Sequence, residues 1–138
     1  MKKDDCIFCK IANGEIPSST VYEDDDFRVI LDIAPAAKGH ALILPKEHFA
    51  NIFELDGVVA GKLFTLATKV APAIKEEMGC SGLNVVQNNG ASAGQTVDHF
   101  HLHLIPRNEG DDVSVKWVPK ESDPEENAKL AEKIAGRM

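Results

Sequence analysis

A chain of 138 residues with a formal net charge of −7 and 43% hydrophobic residues predicts one compact domain, spanning residues 1–138, with a real core. The acidic balance disfavours long nucleic acids as partners, because their binding usually draws on a basic surface. No apolar run approaches the ~20 residues that span a bilayer, and the N-terminus is charged, so we expect neither a membrane segment nor a signal peptide. These features predict a cytoplasmic protein.

The first third of the chain predicts a short helical segment and three strands. Residues 6–12 mix apolar residues with a Cys-x-x-Cys pair, and the Gly and Pro that follow should end any helix there. Strand-forming runs at 20–23 and 27–31 flank three aspartates and predict a hairpin. A loop with Pro35 and Gly39 then leads to a third strand at 40–44, which Pro45 stops.

A long amphipathic helix follows, with Asp56 as its predicted N-cap and Gly79 as its C-terminal stop. Pro72 removes a backbone donor inside it and should bend the helix or divide it into two elements. Apolar residues recur at three- and four-residue spacing and predict packing against a sheet. They are Val59, Leu63, Leu66, Val70 and Ile74.

After a fourth strand at 83–87, the loop 88–96 combines small residues with amide and hydroxyl side chains. Glycines let backbone N–H groups approach an anion, so the loop could cradle one, although a flexible hairpin connection explains the loop alone equally well. Beyond about residue 112 we expect a peripheral tail with a short charged helix at 125–135. In this tail we expect Trp117 either to anchor a partner or to form part of the rim of a pocket.

Three of the five histidines alternate with apolar residues between 99 and 106, which predicts a strand with a histidine face and a core face. Successive histidines lie roughly 6.5–7 Å apart along a strand, so the outer two are about 13 Å apart. One metal ion bound by all three is therefore disfavoured. We expect His99, His101 and His103 to have different roles, with catalysis favoured over a purely structural role or a pure metal site.

The string from Gly94 to Ile105 resembles the histidine-triad (HIT) motif, here at residues 99–105, and the resemblance extends from Cys6 to Arg107. It implies an α+β fold, an antiparallel sheet of about five strands with one long helix and a short C-terminal helix. It also implies a homodimeric hydrolase that binds purine nucleotides, cleaves at the α-phosphorus and needs no organic cofactor. The Cys pair is similar to bacterial Hint-type phosphoramidases, and Gly-Gln-Thr-Val is also similar to dinucleoside polyphosphate hydrolases.

The resemblance assigns the attack to His101, through a nucleotidyl-histidine intermediate that water hydrolyses. It implies that His103 adds a hydrogen bond at the scissile centre and that His40 orients the triad, with His99 completing the catalytic set. Neutral imidazole suits this attack, because phosphate does not repel it, and a carbonyl bound to Nδ1 would leave Nε2 free. The implied nucleotide-binding residues besides His101 and His103 are Asp32, which accepts from the ribose hydroxyls, Ile33, Asn88, Gly94, Gln95 and Thr96.

The Cys pair fits a metal or redox pair better than a disulfide framework in a reducing compartment. With two histidines that are not needed as nucleophiles, it supplies a four-ligand set for a structural zinc: Cys6, Cys9, His48 and His99. The resemblance supports this set, because some bacterial HIT proteins carry such a metal, and a free dithiol pair is the alternative. A nucleotide-binding regulatory protein without turnover is the second functional hypothesis, and the leaving group is left open.

Overall fold

A five-stranded antiparallel sheet is the centre of the computed structural model, which describes residues 2–138. The strands are β1 (Thr20–Glu23), β2 (Phe27–Leu31), β3 (Ala41–Pro45), β4 (Gly82–Val86) and β5 (Leu102–Arg107). The helices are α1 (Ile7–Ala12), α2 (Gly57–Met78) and α3 (Pro124–Ala135), with a 3-10 turn at Ala91–Ala93. The strand order is β1-β2-β3-β5-β4. The predicted α+β class, with one long helix and a short C-terminal helix, is confirmed.

The aspartates between β1 and β2 form the predicted hairpin turn. The Asp24 carboxylate accepts hydrogen bonds from the backbone N–H groups of Asp26, at 2.8 Å, and Phe27, at 2.7 Å. The carboxylate thus accepts hydrogen bonds from backbone N–H groups that have no strand partner within the turn. This ability is the general reason that Asp favours turns. β1 and β2 then pair antiparallel as expected.

Helix α2 is one uninterrupted element, so the expected division at Pro72 is wrong. Asp56 caps it by accepting from the N–H groups of Val58 and Val59, both at 3.0 Å, and Gly79 ends it with φ of 63°. Pro72 lies on the exposed face, so it removes one backbone hydrogen bond while the buried stripe on the other face stays continuous. By length and composition alone α2 could cross a membrane, which is weak evidence because core helices meet the same criterion.

Two apolar clusters cover the two faces of the sheet. Four of the five predicted stripe residues of α2 are buried, and Val59 packs against them from the edge. Burying a large aliphatic side chain contributes about 1.5–3 kcal/mol, so this face dominates the core. The α2 face contains Phe27, Val29, Ala41, Ile43, Leu63, Leu66, Ala67, Val70, Ile74, Phe100, Leu102 and Leu104. The opposite face is a smaller cluster of Ala12, Ile30, Leu42 and Leu44, against which Phe8 and Ile11 pack.

The histidine segment forms a shorter strand than the alternation predicts. β5 begins at Leu102, because the N–H of Phe100 donates to the carbonyl of Phe49, at 2.6 Å, outside the sheet. The alternation itself persists, since Phe100 and Leu102 enter the α2 core while His99 and His101 are excluded from it. β3 and β4 are each displaced by one residue from their predicted bounds, and Pro45 closes β3 as its last residue.

The chain after residue 112 lies outside both cores. Before this tail, Arg107 at the end of β5 donates to both carboxylate oxygens of Asp111, at 2.8 and 2.9 Å. Helix α3 is capped by Asp123, but none of its twelve residues is buried, and Trp117 is 80% exposed. Leu130 and Ile134 leave an apolar stripe on its surface.

Candidate functional site

Antiparallel pairing gathers the polar residues of the site at one end of β3. Leu42 of β3 and Val86 of β4 lie on either side of His103 in the sheet. His40 immediately precedes β3, and its Nε2 is 2.9 Å from Nδ1 of His103, although the two residues are 63 positions apart. The sheet register therefore brings together two histidines that the sequence separates.

The ring of His101 is held in one tautomer by the backbone. Its Nδ1 lies 2.6 Å from the carbonyl oxygen of His99, which can only accept, so Nδ1 carries the proton and Nε2 keeps its lone pair. Burial lowers the pKa of His101, against the opposing effect of that hydrogen bond. The ring is 5% exposed and is therefore a neutral imidazole with one nitrogen free to attack.

His103 has the opposite tautomer, and a second backbone group fixes it. The N–H of Ala36 donates to Nδ1 of His40, at 2.9 Å, so the proton of His40 is on Nε2. That Nε2–H donates to Nδ1 of His103, which leaves His103 with a proton on its own Nε2. Burial lowers the pKa of His40 and, with the neighbouring His101 and His40, lowers the pKa of His103 to about 4. His103 is thus a neutral hydrogen-bond donor.

Asp32 lies beside this pair of histidines. One carboxylate oxygen is 3.6 Å from Nε2 of His40, and the other accepts from the N–H of Ala34 at 2.9 Å. Its own N–H donates to the carbonyl of His40, which fixes the loop between β2 and β3. The side chain is 19% exposed, so it can still accept from a ligand, and the next residue, Ile33, is fully exposed.

Loop 88–96 connects β4 to the histidine segment and turns at two glycines. Gly90 and Gly94 have φ of 88° and 92°, which favours glycine at both positions. A Cβ built on Gly94 would lie 3.7 Å from Nδ2 of Asn88, so that amide is beside the glycine. Among residues 2–138, the side-chain donors of Asn88 and Thr96 take part in no hydrogen bond. These predicted contacts are therefore available to a ligand.

Gln95 differs from its neighbours, because its side chain is already fully paired. Its Nε2 donates to the carbonyls of Ala50, at 2.7 Å, and Val97, at 2.9 Å, and its Oε1 accepts from the N–H of Gly90 at 2.8 Å. The residue is 7% exposed. The amide of Gln95 holds the loop together with both of its N–H donors in use, and its contact with the nucleotide stays a prediction.

The Cys pair and two histidines form a separate cluster behind the triad. All four ligand atoms of Cys6, Cys9, His48 and His99 lie within 4.8 Å of one another. Nε2 of His99 donates to the carbonyl of Pro45, at 2.8 Å, which leaves its Nδ1 lone pair facing both sulfurs at 3.4 Å. The ring of His99 is fully buried there, which suits its predicted role as a metal ligand, while its place in the catalytic set stays a prediction.

The cluster matches the donor set and spacing of a tetrahedral zinc site. Zinc bonds of ~2.3 Å to sulfur and ~2.0–2.1 Å to nitrogen put neighbouring ligands about 3.5 Å apart. The nitrogen–sulfur distances are 3.3 Å for His48 to Cys9 and 3.4 Å for His99 to both cysteines. Burial raises the pKa of the Cys9 thiol, so a thiolate at this place needs a cation beside it.

Phe8 is a site residue that the sequence analysis missed. Its ring stands edge-on to His101 with centroids 4.9 Å apart, and to His99 at 6.1 Å. With Ile11 it extends an apolar surface from α1 to Leu42 on the histidine side of the sheet. The only signal in the sequence was the position of Phe8 between Cys6 and Cys9, because the zinc hypothesis places these two cysteines beside His99.

Comparison with known proteins agrees with this geometry. A family model described as the HIT domain matches residues 13–110. The chain belongs to the HIT family. Adenosine 5'-monophosphoramidase hnt1 of Schizosaccharomyces pombe is 43% identical over 134 residues, which are 96% of this chain and 98% of that protein.

Solved structures share the whole fold. SMU.412c from Streptococcus mutans UA159 superposes with a TM-score of 0.94 at 44% identity, covering 98% of this chain and 86% of that one. A zinc-bound histidine triad family protein from Mycobacterium smegmatis superposes with a TM-score of 0.76 at 34% identity, covering 96% of this chain and 97% of the other. The similarity to SMU.412c covers nearly the full chain, so it extends beyond the region of the family model.

Proposed function

We propose that this protein is a purine nucleotide hydrolase that cleaves at the nucleotide α-phosphorus through a covalent intermediate on His101. The observation that carries the proposal is the hydrogen bond from Nδ1 of His101 to the carbonyl of His99, at 2.6 Å. It leaves the Nε2 lone pair free on a buried, neutral ring, which is what a nucleophile for phosphorus requires. The phosphoramidase name of the S. pombe relative supports a nucleoside phosphoramidate as the substrate.

In the first step, the Nε2 lone pair of His101 forms a bond to phosphorus while the bond from phosphorus to the leaving nitrogen breaks. The leaving nitrogen takes up a proton from solvent and departs as a neutral amine. The Nε2–H of His103 donates a hydrogen bond at the scissile centre, because His40 occupies the other nitrogen of that ring. In the second step, water attacks phosphorus and releases a proton to solvent, the bond between phosphorus and Nε2 of His101 breaks, AMP is formed, and His101 returns to its neutral form. A preorganised polar shell lowers both barriers, since it does not have to reorient as charge develops.

The remaining contacts would bind the nucleotide itself. Asn88 and Thr96 supply side-chain donors to the phosphate, and Gly94 lets the backbone come close. Asp32 accepts from the ribose hydroxyls, since a carboxylate has the acceptor capacity for two neighbouring donors. Exposed Ile33 and the ring of Phe8 offer apolar contacts to the nucleoside.

A structural zinc ion is part of the proposal. Cys6, Cys9, His48 and His99 would hold it with two sulfurs and two nitrogens. A closed four-ligand site contributes folding energy and leaves no open position for substrate. The steps above therefore use only the residues of the chain.

A homodimer is also proposed. β4 is an edge strand of the sheet, and edges of this kind are usually paired or covered. Val85 on β4 and Phe64 on α2 are 48% and 53% exposed, which gives that edge an apolar flank. A second copy of the chain would cover both Val85 and Phe64.

The proposed location of the protein is the cytoplasm.

The experiment that tests the function compares three adenylyl substrates with the same purified protein: an adenosine phosphoramidate, a dinucleoside polyphosphate and adenylyl sulfate. We expect the phosphoramidate to be turned over fastest, with AMP as product. Faster turnover of the dinucleoside polyphosphate would transfer the assignment to that hydrolase class. AMP binding without turnover of any of the three would overturn hydrolysis in favour of a nucleotide sensor.

A further inference from the structure

We propose that the Cys/His cluster and the nucleotide pocket are thermodynamically linked, so that metal bound by the cluster raises the affinity of the protein for purine nucleotide. The inference rests on the proposed function, since it concerns the pocket beside His101. Two connections run between the sites. One is helix α1 with its N-cap, which together contain Cys6, Cys9 and Phe8, and the other is His99.

Helix α1 is short, and apart from the cluster it is held by Ala12, Phe8 and Ile11 in the smaller core and by a hydrogen bond from Arg28 to the carbonyl of Ala12. It has six residues, of which only Cys9 and Ala12 are buried. Isolated helices shorter than ~12 residues are marginal in water, so tertiary anchors decide whether α1 forms. Its N-cap is Cys6, whose sulfur lies 3.4 Å from the N–H of Cys9. The atom that caps the helix is thus also a candidate metal ligand.

Phe8 transmits the state of α1 to the pocket. It lies between the two cysteines in sequence, and its ring meets the ring of His101 edge-on at 4.9 Å. When a metal fixes both cysteines, the intervening turn of helix and the Phe8 ring are fixed with them. When the cluster is empty, Phe8 keeps its apolar contacts with the smaller core cluster and its ring contacts with the histidines, but the two cysteines beside it are no longer fixed by a metal.

His99 provides the second connection within a single residue. Its Nδ1 faces the two sulfurs, its Nε2 donates to the carbonyl of Pro45, and its backbone carbonyl accepts from Nδ1 of His101. A metal bound at Nδ1 fixes the position of His99, and with it the acceptor that orients His101. The same residue therefore belongs to both sites without touching the substrate.

Linkage of this kind is reciprocal. Coupling between two sites typically changes affinity by about 5- to 150-fold, and each ligand changes the affinity of the other by the same factor. We expect AMP to bind at least about fivefold more tightly to the zinc-loaded protein than to the stripped protein. AMP should raise the affinity for zinc by that same factor.

The test uses calorimetric titration of the full chain with AMP, before and after zinc is removed by a chelator and then restored. Matched variants are Phe8→Ala and Ile7→Ala, because Ile7 is the exposed neighbour of Phe8 on the same helix. The fivefold zinc effect should persist in Ile7→Ala and shrink in Phe8→Ala, where only the connection through His99 remains. Circular dichroism at each step reports whether the stripped protein stays folded.

If the stripped protein unfolds, competition between the protein and a zinc chelator, with and without saturating AMP, decides the question instead. A global folding effect would be the same in both variants, whereas linkage through Phe8 is lost only in Phe8→Ala. Equal AMP affinity with and without zinc, or absence of zinc binding, would overturn the linkage. Equal zinc effects in the two variants would overturn the connection through Phe8. The hydrolase assignment is judged separately, by adenylate on His101, so the two failures are distinguishable.

Discussion

Replacement of Gln95 by leucine separates a loop-organising role from a ligand-binding one. The substitution keeps the approximate volume and removes three hydrogen bonds, with Gly90, Ala50 and Val97 as the partners. A net contribution of about 0.5–1.5 kcal/mol per bond gives an expected loss of roughly 1.5–4.5 kcal/mol in the free energy of unfolding. Gln95→Glu should cost at least as much, because its carboxylate would face two carbonyl oxygens.

The assay is urea unfolding followed by circular dichroism, with AMP affinity measured on the same samples. Ser92→Ala is the control, because Ser92 is an exposed residue of the same loop. Affinity for AMP should fall together with stability in Gln95→Leu, since Gly94 and Thr96 flank the lost anchor. Weaker AMP binding with unchanged stability would refute the reasoning, because it would mean that the amide contacts the ligand directly.

The remaining predictions concern metal, pH and assembly. Elemental analysis should find about one zinc per chain. The double variant with Cys6→Ser and Cys9→Ser should lose both the metal and thermal stability. Metal-free wild-type protein, with unchanged melting of the double variant, would exclude the site. With zinc in excess, kcat/KM should stay level as pH falls through 6.5, because the pKa of His103 lies near 4; an acid limb centred at 6.5 would contradict this. A lowered pKa also means that the unfolded chain binds more protons between about pH 4 and 6.5, so stability should fall over that interval on acidification. Light scattering should give a mass in solution of twice the 15.0 kDa chain mass, and Phe64→Asp should reduce that mass. A fully active monomer would argue against the dimer.

The sequence predicted the helices and strands well because their periodicities are strong. It failed where a contact with a residue distant in sequence determines the structure. Alternation identified which face of the histidine segment is buried, yet β5 starts three residues later because Phe100 pairs with Phe49. Pro72 was expected to bend or divide α2, but the helix is not divided, because the exposed position of Pro72 leaves the buried stripe intact. Local pattern therefore predicts the type of an element better than its ends.

The same limit applies to the site. The motif identified the histidines, but the tautomer of His103 depends on the backbone N–H of Ala36, which acts through His40. No pattern of residue types reports which backbone group is within reach. Phe8 was missed because its partner His101 lies far along the chain, and the direction of the Gln95 amide could be learned only from its three partners.

The most direct test of the account is a search for the covalent intermediate on His101. The protein is mixed with an adenosine phosphoramidate, quenched within one turnover and analysed by mass spectrometry, in parallel with His101→Ala. We predict one adenylyl group per active chain, located on His101, and turnover reduced at least about 10³-fold in His101→Ala while AMP binding is retained. An adduct on another residue, or turnover near the wild-type rate in His101→Ala, would contradict the mechanism.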